Sequence, residues 1–404
     1  MPEYLTPDVY VEEVPAGPRP IEAVGTSTAA FVGPAPRADV SPNDPVAYTN
    51  WMQFTRDFTR PDTASTALSN AVYGFFQNGG SRCFVVNVPE GQPVEDGLGA
   101  LEAVDEVAIV AAPGLMDAAS YEAVLGHCEK LKDRVAILDG PQTAQRIDDL
   151  TNVITPAATR RRGGGGGGGG ENEGAPDAPA GLRPRQSDYG TFYFPHIRAR
   201  DPLSGQLVFM PPSGHIAGIW ARNDATRGVQ KAPANEPIRG ALDVSQRLTA
   251  ADQSVLNPAG VNCIRFFARE GIRVWGGRTL ADSASEWRYL NVRRLFNMLE
   301  ESILDATRWI VFEPNDRRLW KSIRRDVGAF LTGVWRDGAL MGRTPEEAFF
   351  VKCDEETNPP DEIDRGRVIA IIGAAPVKPA EFVIFRISQQ ASGAEVEAEV
   401  AIRG

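Results

Sequence analysis

The sequence predicts a mixed α/β (α+β) fold in which short buried strands and amphipathic helices form layers. Between residues 100 and 157, short apolar runs alternate with a segment of helical periodicity, as in a βαβ unit. Residues 283–338 contain two longer segments whose apolar side chains recur at helical spacing. We therefore expect a layered core domain built from the N- and C-terminal parts of the chain, with an α/β region inserted between them.

Changes in composition and pattern divide the chain into five parts. We expect an N-terminal linker arm at 1–20, a core at 21–90 and 189–380, an inserted βαβ region at 91–157, a flexible glycine-rich loop at 158–188 and a C-terminal β arm at 381–404. The loop contains eight consecutive glycines, which cannot bury a core. Glu171 and Glu173 follow these glycines and would repel a phosphate group, so a phosphate-binding loop is not expected.

Strands and helices are predicted in order along the core and the inserted region. Helical segments are expected at 68–77, 118–131 and 216–223, and strands at 83–88, 107–110, 135–138, 189–194, 263–267, 272–275, 349–353 and 368–372.

The densest unit of the chain is residues 283–338. Ser283 and Glu286 match a capping box in front of a first helix. The apolar run at 309–312 is typical of a short buried strand, and Asn315 is the predicted N-cap of a second helix that ends at Gly338. The second helix has one apolar stripe, formed by Leu319, Trp320, Ile323, Val327, Phe330, Leu331 and Val334. The unit is therefore predicted to be helix, buried strand, helix.

This second helix is locally basic. Residues 316–337 contain six Arg or Lys and three Asp, a net +3 within a chain of net charge −11. Arg317, Lys321, Arg324 and Arg325 occupy neighbouring positions on the helix surface. The pattern is typical of a solvated face, and it is also what docking to an acidic partner requires.

Both ends of the chain are predicted to be extended arms. The segment at 9–14 is separated from the core by prolines, so it is either an edge strand of its own subunit or a strand that pairs with another chain. Strict alternation predicts a C-terminal hairpin with strands at 381–388 and 395–402. A hairpin is marginal alone, so further strands are expected beside it. The predicted arm strands include Val9, Tyr10, Val11 and Glu12 at the N-terminus, and Phe382, Ile384, Val396 and Val400 at the C-terminus.

Composition narrows the classes of function. The chain has 404 residues, of which 42% are hydrophobic, and no run approaches the ~20 apolar residues of a membrane helix. The acidic N-terminus lacks the apolar core of a signal peptide, so we expect synthesis in the cytosol without direct membrane insertion. The net charge argues against nucleic acid as a partner. The four Cys and three His are scattered, which predicts free thiols and neither metal nor cofactor.

Two positions invite a catalytic interpretation. Asp139 follows the strand predicted at 135–138, and His215 lies beside Ser213. Neighbours in sequence are not a catalytic triad, and the chain has no GxSxG motif around Ser213. A turn residue explains Asp139 and helix capping explains Ser213, so we expect no enzyme, with an α/β enzyme of unknown substrate as the minor alternative.

Several motifs, in order, resemble one family. The stretches TPDVYVEEV, FFQNGG, PPSGHIAGIWARNDATRGVQKAPAN, LNPAGVNCIRFF, VWGGRTL, FEPNDRRLW and PVKPAEFVIFRI are similar to the contractile tail-sheath proteins of phages, R-type tailocins and extracellular contractile injection systems. The similarity covers residues 4–90 and 189–388.

The resemblance implies a structural protein. Subunits of this family stack as six-fold helical rings around an inner tube and exchange arm strands with their neighbours. An inward helix meets the tube through complementary charge, which implies that Arg317, Lys321, Arg324 and Arg325 contact the tube here. Contraction from a metastable extended state drives the tube through a target envelope. The implied partners are other copies of the chain, the inner tube protein, the baseplate and the tail terminator or cap.

The resemblance also implies assembly in the cytoplasm of the producing bacterium, as part of a phage tail-like particle that is released extracellularly. An extracellular injection system or a tailocin is favoured, with a contractile-tailed phage as the alternative. A monomeric binding module is the other class to test, and light scattering distinguishes it from a polymer.

Overall fold

The computed structural model describes residues 20–154, 181–382 and 384. The strands in this part of the chain are β1 (Ala29–Gly33), β2 (Val46–Tyr48), β3 (Cys83–Asn87), β4 (Ile109–Ala111), β5 (Val135–Asp139), β6 (Gly190–Phe194), β7 (Ile197–Arg200), β8 (Leu207–Met210), β9 (Glu236–Pro237), β10 (Asp243–Val244), β11 (Val261–Phe267), β12 (Gly271–Trp275), β13 (Phe349–Lys352) and β14 (Ile371–Ala374). The α-helices are α1 (Trp51–Phe58), α2 (Ala67–Asn78), α3 (Val94–Leu101), α4 (Ala118–Leu131), α5 (Ser213–Arg227), α6 (Ala250–Leu256), α7 (Leu290–Thr307), α8 (Arg317–Arg336), α9 (Pro345–Ala348) and α10 (Pro360–Asp364).

A nine-stranded sheet in the order β2-β3-β1-β4-β5-β6-β11-β12-β9 organises the first two thirds of the chain. Its six central strands, from β3 to β11, are parallel, and the antiparallel strands β2 and β12 border them. Every residue of β1, β3, β4, β5 and β6 is buried. Continuous apolar runs form these strands because a parallel sheet is covered on both faces.

The two faces of the sheet carry separate apolar cores. On β1, Phe31 belongs to the core that includes α1, α2 and α5, whereas Ala30 and Val32 belong to the core that includes α3, α4 and α6. The helices α2 and α5 pack at close range, since a Cβ on Gly214 would lie 2.2 Å from the Ala71 backbone. This layered α/β arrangement confirms the predicted fold class.

The βαβ prediction for residues 100–157 is confirmed. Helix α4 has the predicted bounds, and β4 and β5 are parallel neighbours. These two strands lie between β1 and β6, so the region predicted as an insertion supplies the middle of the sheet. The boundaries proposed for the five parts remain a prediction.

Most of the loop predicted at 158–188 lies outside the described residues. Its last part, from 181, is held in place. Arg185 donates hydrogen bonds to Glu122 and Glu129 of α4 at 2.7 to 2.9 Å, and the Leu182 amide donates to the Asp149 carbonyl at 2.9 Å. Residues 181–188 therefore contact α4 and the end of the βαβ region, and the flexible loop at 158–188 remains a prediction.

A third apolar core joins α7, α8 and the two-stranded sheet of β13 and β14. All seven residues of the predicted α8 stripe are buried, which confirms that prediction. Gly338 has a φ of +77°, a conformation that suits glycine at a helix end.

The predicted strand and the predicted start of the first helix in this unit both differ from the structure. Residues 308–310 form a 3-10 turn, and Val311 and Phe312 are exposed, so no buried strand separates the helices. Helix α7 begins at Leu290, after a 3-10 turn capped by Ser285, instead of directly behind Ser283. The unit is therefore a helical hairpin.

The N-cap of α8 also differs from prediction. Asp316 caps the helix, accepting hydrogen bonds from the Arg318 and Leu319 amides at 2.8 and 3.0 Å. Asn315 instead accepts a hydrogen bond from the Trp320 indole at 2.8 Å. A carboxylate at this position also interacts favourably with the helix dipole.

Candidate interaction surfaces

The exposed face of α8 carries the basic residues that the sequence singled out. Arg317, Lys321, Arg324 and Arg325, the basic ridge, are all exposed on the side opposite the buried stripe. Arg317 pairs with Glu355 at 2.7 Å and Arg325 with Asp326 at 2.9 Å. Within residues 20–154, 181–382 and 384, no carboxylate lies within 4 Å of Lys321 or Arg324. Exposed pairs contribute at most ~1 kcal/mol, so the ridge remains available to a partner.

The position of the ridge along α8 does not favour the stability of the helix. Arg317 and Arg318 occupy its first turn, where no acidic residue is present. Cations near a helix N-terminus oppose the helix dipole, at a cost of roughly 0.3–1 kcal/mol each. The amphipathic stripe that packs into the third core holds α8 in place despite this cost.

A second feature lies at the root of the C-terminal arm. The Arg278 guanidinium donates two hydrogen bonds to the Glu381 carboxylate, at 2.9 and 2.6 Å, and Asn257 donates a third at 2.8 Å. Burial alone would raise the pKa of Glu381, but the hydrogen bonds from Arg278 and Asn257 hold it below its usual value. These contacts, which we call the arm clamp, fix where the arm leaves the core.

The arm residues beyond the clamp are exposed where the structure describes them. Phe382 and Ile384 are 74% and 80% exposed and belong to no strand. The strand predicted from 381 is therefore not formed at 381, 382 and 384, where no strand from the described parts of the chain pairs with these residues. Val9, Tyr10, Val11, Glu12, Val396 and Val400 lie outside the described residues.

The sheet of β13 and β14 has an exposed apolar face. Phe349, Val351 and Ala374 pack against the third core, whereas Phe350 and Ile371 on the other face are 56% and 48% exposed. Neither outer edge of this sheet pairs with a strand from the described parts of the chain. A two-stranded sheet is marginal alone, and unpaired edges are templates for further strands.

Asp139 and Ser213 meet, but in a closed setting. The Asp139 carboxylate accepts hydrogen bonds from the Ser213 amide and hydroxyl, at 2.8 and 2.7 Å, at the start of α5. Burial raises the pKa of Asp139 to about 6, against the lowering effect of these bonds. Ser213 therefore does not cap α5 through its own side chain, as we expected, but joins the helix to the end of β5.

His215 does not complete a catalytic arrangement with this pair. It is buried against α2, and neither ring nitrogen has a hydrogen-bond partner among the residues that the structure describes. In the same residues, no three His, Cys, Asp or Glu side chains are grouped to hold a metal ion. None of the described helices is long and apolar enough to cross a membrane.

Sequence reasoning identified the basic ridge but missed the arm clamp and the exposed β13–β14 face. Arg278 and Glu381 are 103 positions apart, so no local pattern connects them. The Phe350 and Ile371 positions are apolar, which at the sequence level is typical of burial. The available signal for this exposed face was the apolar content of both strands, which is high for a sheet of only two strands.

Comparison with known families and structures gives consistent matches. Residues 282–390 match the phage tail sheath C-terminal domain, and residues 90–280 match the phage tail sheath protein central domain. The tail sheath protein of Vibrio phage KVP40 is 32% identical over 186 residues, covering 45% of this chain and 27% of the phage protein. The chain spans less than half the length of the curated relatives it matches.

Solved structures match over nearly the whole chain. The sheath of the extracellular contractile injection system PVC, in its contracted state, aligns with a TM-score of 0.77 at 27% identity, over 96% of this chain and 99% of that one. The helical sheath of the anti-feeding prophage (AFP) in its contracted state aligns with a TM-score of 0.73 at 30% identity, over 95% and 99%. The similarity therefore includes both the nine-stranded sheet and the C-terminal helical unit.

Proposed function

Because this chain belongs to the phage tail sheath family, we propose that it is the structural sheath subunit of a contractile injection apparatus. Copies of the chain polymerise as six-fold helical rings around an inner tube. The polymer contracts from a metastable extended state and drives the tube through a target envelope. The observation that carries this proposal is the end-to-end match with sheath subunits in contracted particles.

The share of each relative's length that this chain covers favours one type of contractile particle. The sheath subunits of PVC and AFP are covered almost completely by this chain, whereas the curated phage proteins are covered over less than half their length. We therefore propose an extracellular injection system or a tailocin, with the sheath of a contractile-tailed phage as the second candidate. The particle assembles in the cytoplasm of the producing bacterium and is released as a phage tail-like particle.

Strand exchange between neighbouring copies links the subunits. Within the described residues, no other named strand pairs with the β13–β14 sheet, which also has an exposed apolar face, and the arms offer strands that extend it. We assign Val9, Tyr10, Val11 and Glu12, with Phe382, Ile384, Val396 and Val400, to these inter-subunit strands. The arm clamp sets the direction in which the C-terminal arm reaches its neighbour.

The basic ridge on α8 contacts the inner tube. Lys321 and Arg324 bring positive charge with no carboxylate close by among the described residues, and an acidic tube surface would complement it. Such contacts are weakened by salt and carry little energy each, so they can be released during contraction. Further partners are the baseplate, which starts the polymer, and a terminator or cap protein, which ends it.

Contraction uses rigid cores and linked arms. The sheet and its two helical layers move as one body, while exchanged arm strands act as hinges between copies. Each copy needs to contribute only a few kcal/mol, because many copies change state together. The role is structural and uses no catalytic residue, cofactor or nucleic acid; Asp139 and Ser213 join β5 to α5.

Electron microscopy of the assembled particle tests this function. The chain is co-expressed with candidate tube and baseplate proteins from the same source, and particles are imaged before and after a mild denaturing trigger. Rods with a helical sheath that shortens and widens are expected. A chain that stays monomeric by light scattering in the presence of tube and baseplate would overturn the proposal. Particles attached to a DNA-filled head would identify the phage sheath instead.

A further inference from the structure

The turn between α7 and α8 exposes large apolar side chains. Trp309, Val311 and Phe312, in this turn, are 39%, 64% and 102% exposed, and Leu304, near the end of α7, is 61% exposed. We call Trp309, Val311 and Phe312 the apolar tip. Single exposed apolar residues are ordinary, but several in one short turn mark an interaction surface.

The apolar tip is held in a defined conformation. Ile310, between its members, packs against the third core. The Glu313 amide donates to the Ile310 carbonyl at 3.0 Å, and the Asn315 side chain donates to the Arg367 carbonyl at 2.7 Å. A turn whose backbone is already held loses little entropy on binding, so it is suited to present an aromatic side chain to a partner.

Phe312 adopts a backbone conformation that is unfavourable for its type. Its φ of +73° lies in the left-handed region, where glycine or asparagine is usual. Bulky residues persist in such conformations chiefly at functional sites. Phe312 makes no buried contact that would compensate, because its side chain is fully exposed. The free subunit therefore gives no stability reason for a phenylalanine at this position.

The apolar tip is continuous along the chain with the basic ridge. Phe312 precedes Arg317 by five positions, and the ridge occupies the first nine residues of α8, the end nearest the tip. Aromatic and arginine side chains together are the usual composition of an interface centre. We propose that the apolar tip inserts Phe312 into an apolar pocket on the acidic outer surface of the inner tube, beside the contact of the basic ridge.

This inference rests on the proposed function and adds a second component to the tube contact. The ridge contributes attraction that falls with salt, whereas burial of the Phe312 ring does not. Tube binding therefore has a part that salt removes and a part that depends on the tip. The two components are separable by experiment.

Binding of the purified chain to preassembled inner tube, measured by co-sedimentation at low and high salt, tests the proposal. Phe312→Ser is expected to weaken binding by about tenfold or more at both salt concentrations, the size of an interface hot spot. Phe312→Gly is expected to weaken binding similarly while raising the melting temperature of the free subunit by about 2 °C, because glycine relieves the backbone strain. A merely structural role of Phe312 would not lower binding while raising stability.

Met52→Ser is the matched control. Met52 is 78% exposed on α1, which packs against β2 and α2 of the sheet domain and lies outside the α7–α8 unit, so its replacement is expected to leave binding unchanged. Sedimentation velocity without tube measures self-association of each variant. Unchanged tube binding by the Phe312 variants would overturn the proposal. Loss of self-association would also overturn it and assign the tip to a second copy of the chain. If the wild-type chain does not co-sediment with the tube, the proposed contacts of both the basic ridge and the apolar tip are refuted.

Discussion

Arg278 and Glu381 form a two-point ion pair, with nitrogen–oxygen distances of 2.9 and 2.6 Å, at the place where the C-terminal arm leaves the core. The side chains are 11% and 20% exposed, so water screens the pair only partly. Two parallel hydrogen bonds fix direction as well as distance. The ion pair therefore orients the arm without contributing to the sheet itself.

Breaking this pair is expected to affect assembly more than folding. Glu381→Gln and Arg278→Ala should leave the chain folded but lower the free energy of unfolding by roughly 1.5–3 kcal/mol, since the pair is largely shielded from water and its hydrogen bonds involve charged groups. Sheaths should become shorter because the arm no longer starts in a fixed direction. Sheath length in electron micrographs is the measurement.

The control for the clamp is Arg247→Ala, which breaks an exposed pair with Asp243 away from the arm. Normal sheath lengths in both clamp variants would show that the arm does not need this anchor. The pH dependence has a definite sign. The pKa of Glu381 is lowered in the folded chain, so the clamp is complete above the ordinary glutamate pKa and is lost as pH falls through the lowered value.

Charge reversal on the basic ridge is expected to weaken tube binding only at low salt. The triple variant Arg317→Glu, Lys321→Glu and Arg324→Glu leaves the buried stripe of α8 unchanged, so circular dichroism should report a folded chain. Co-sedimentation with the tube should fall several-fold at low salt and approach wild type at high salt. Reversal of Arg56, Arg60 and Arg82, on the sheet domain, is the control. Equal binding by the ridge variant at low salt would mean that this face of α8 points elsewhere.

Removal of residues 1–14 is expected to prevent long sheaths while leaving a soluble, folded core. Under the proposed strand exchange each copy both gives and receives strands, so losing one arm would remove many links along the polymer at once. Electron microscopy and circular dichroism of the truncated chain measure the two effects. Sheaths of native length would exclude strand exchange through this arm. An unfolded core would instead show that the strand belongs to its own subunit.

The buried pair of Arg294 and Asp224 is expected to dominate the stability of the junction between α7 and α5. Both side chains are less than 10% exposed, and Arg294 also donates to the Thr26 carbonyl at 2.9 Å. Arg294→Ala leaves a buried carboxylate unpaired and should lower the free energy of unfolding by roughly 3–5 kcal/mol. Arg308→Ala, which breaks an exposed pair with Asp305, should change it by less than ~1 kcal/mol. Urea unfolding of the free subunit measures the free energy of unfolding of both variants. Equal losses in the Arg294 and Arg308 variants would contradict a dominant role of the buried pair.

Periodicity predicted the elements whose burial follows a local rule. Helix α4 and the buried stripe of α8 have the predicted residues because one helix face meets a core in each case. The prediction of a buried strand at 309–312 is wrong, because apolar composition indicates burial only on average and three of these four side chains are exposed. The central place of β4 and β5 was not predictable either, because pairing between parallel strands depends on partners far along the chain.

The candidate surfaces also differ in whether a local sequence pattern predicts them. The basic ridge follows from helical spacing alone, so the sequence located all four of its residues. The arm clamp and the apolar tip depend on tertiary placement: Glu381 reaches Arg278 across 103 positions, and Phe312 is notable for a backbone angle that its residue type disfavours. Local composition predicts neither this long-range contact nor this backbone angle.

The parallel pairing of β1 determines how the subunit carries mechanical load. A pull on the N-terminal arm first reaches Val24, whose amide bonds to Ser302 of α7, and then β1. Strand β1 lies between β3 and β4, with five residue pairs on one side and three on the other. Tension along β1 therefore loads these ladders in shear, with all their hydrogen bonds strained together instead of opening one at a time. If the N-terminal arm links neighbouring copies as proposed, tension between copies is therefore expected to extend the linkers before it separates β1 from the sheet.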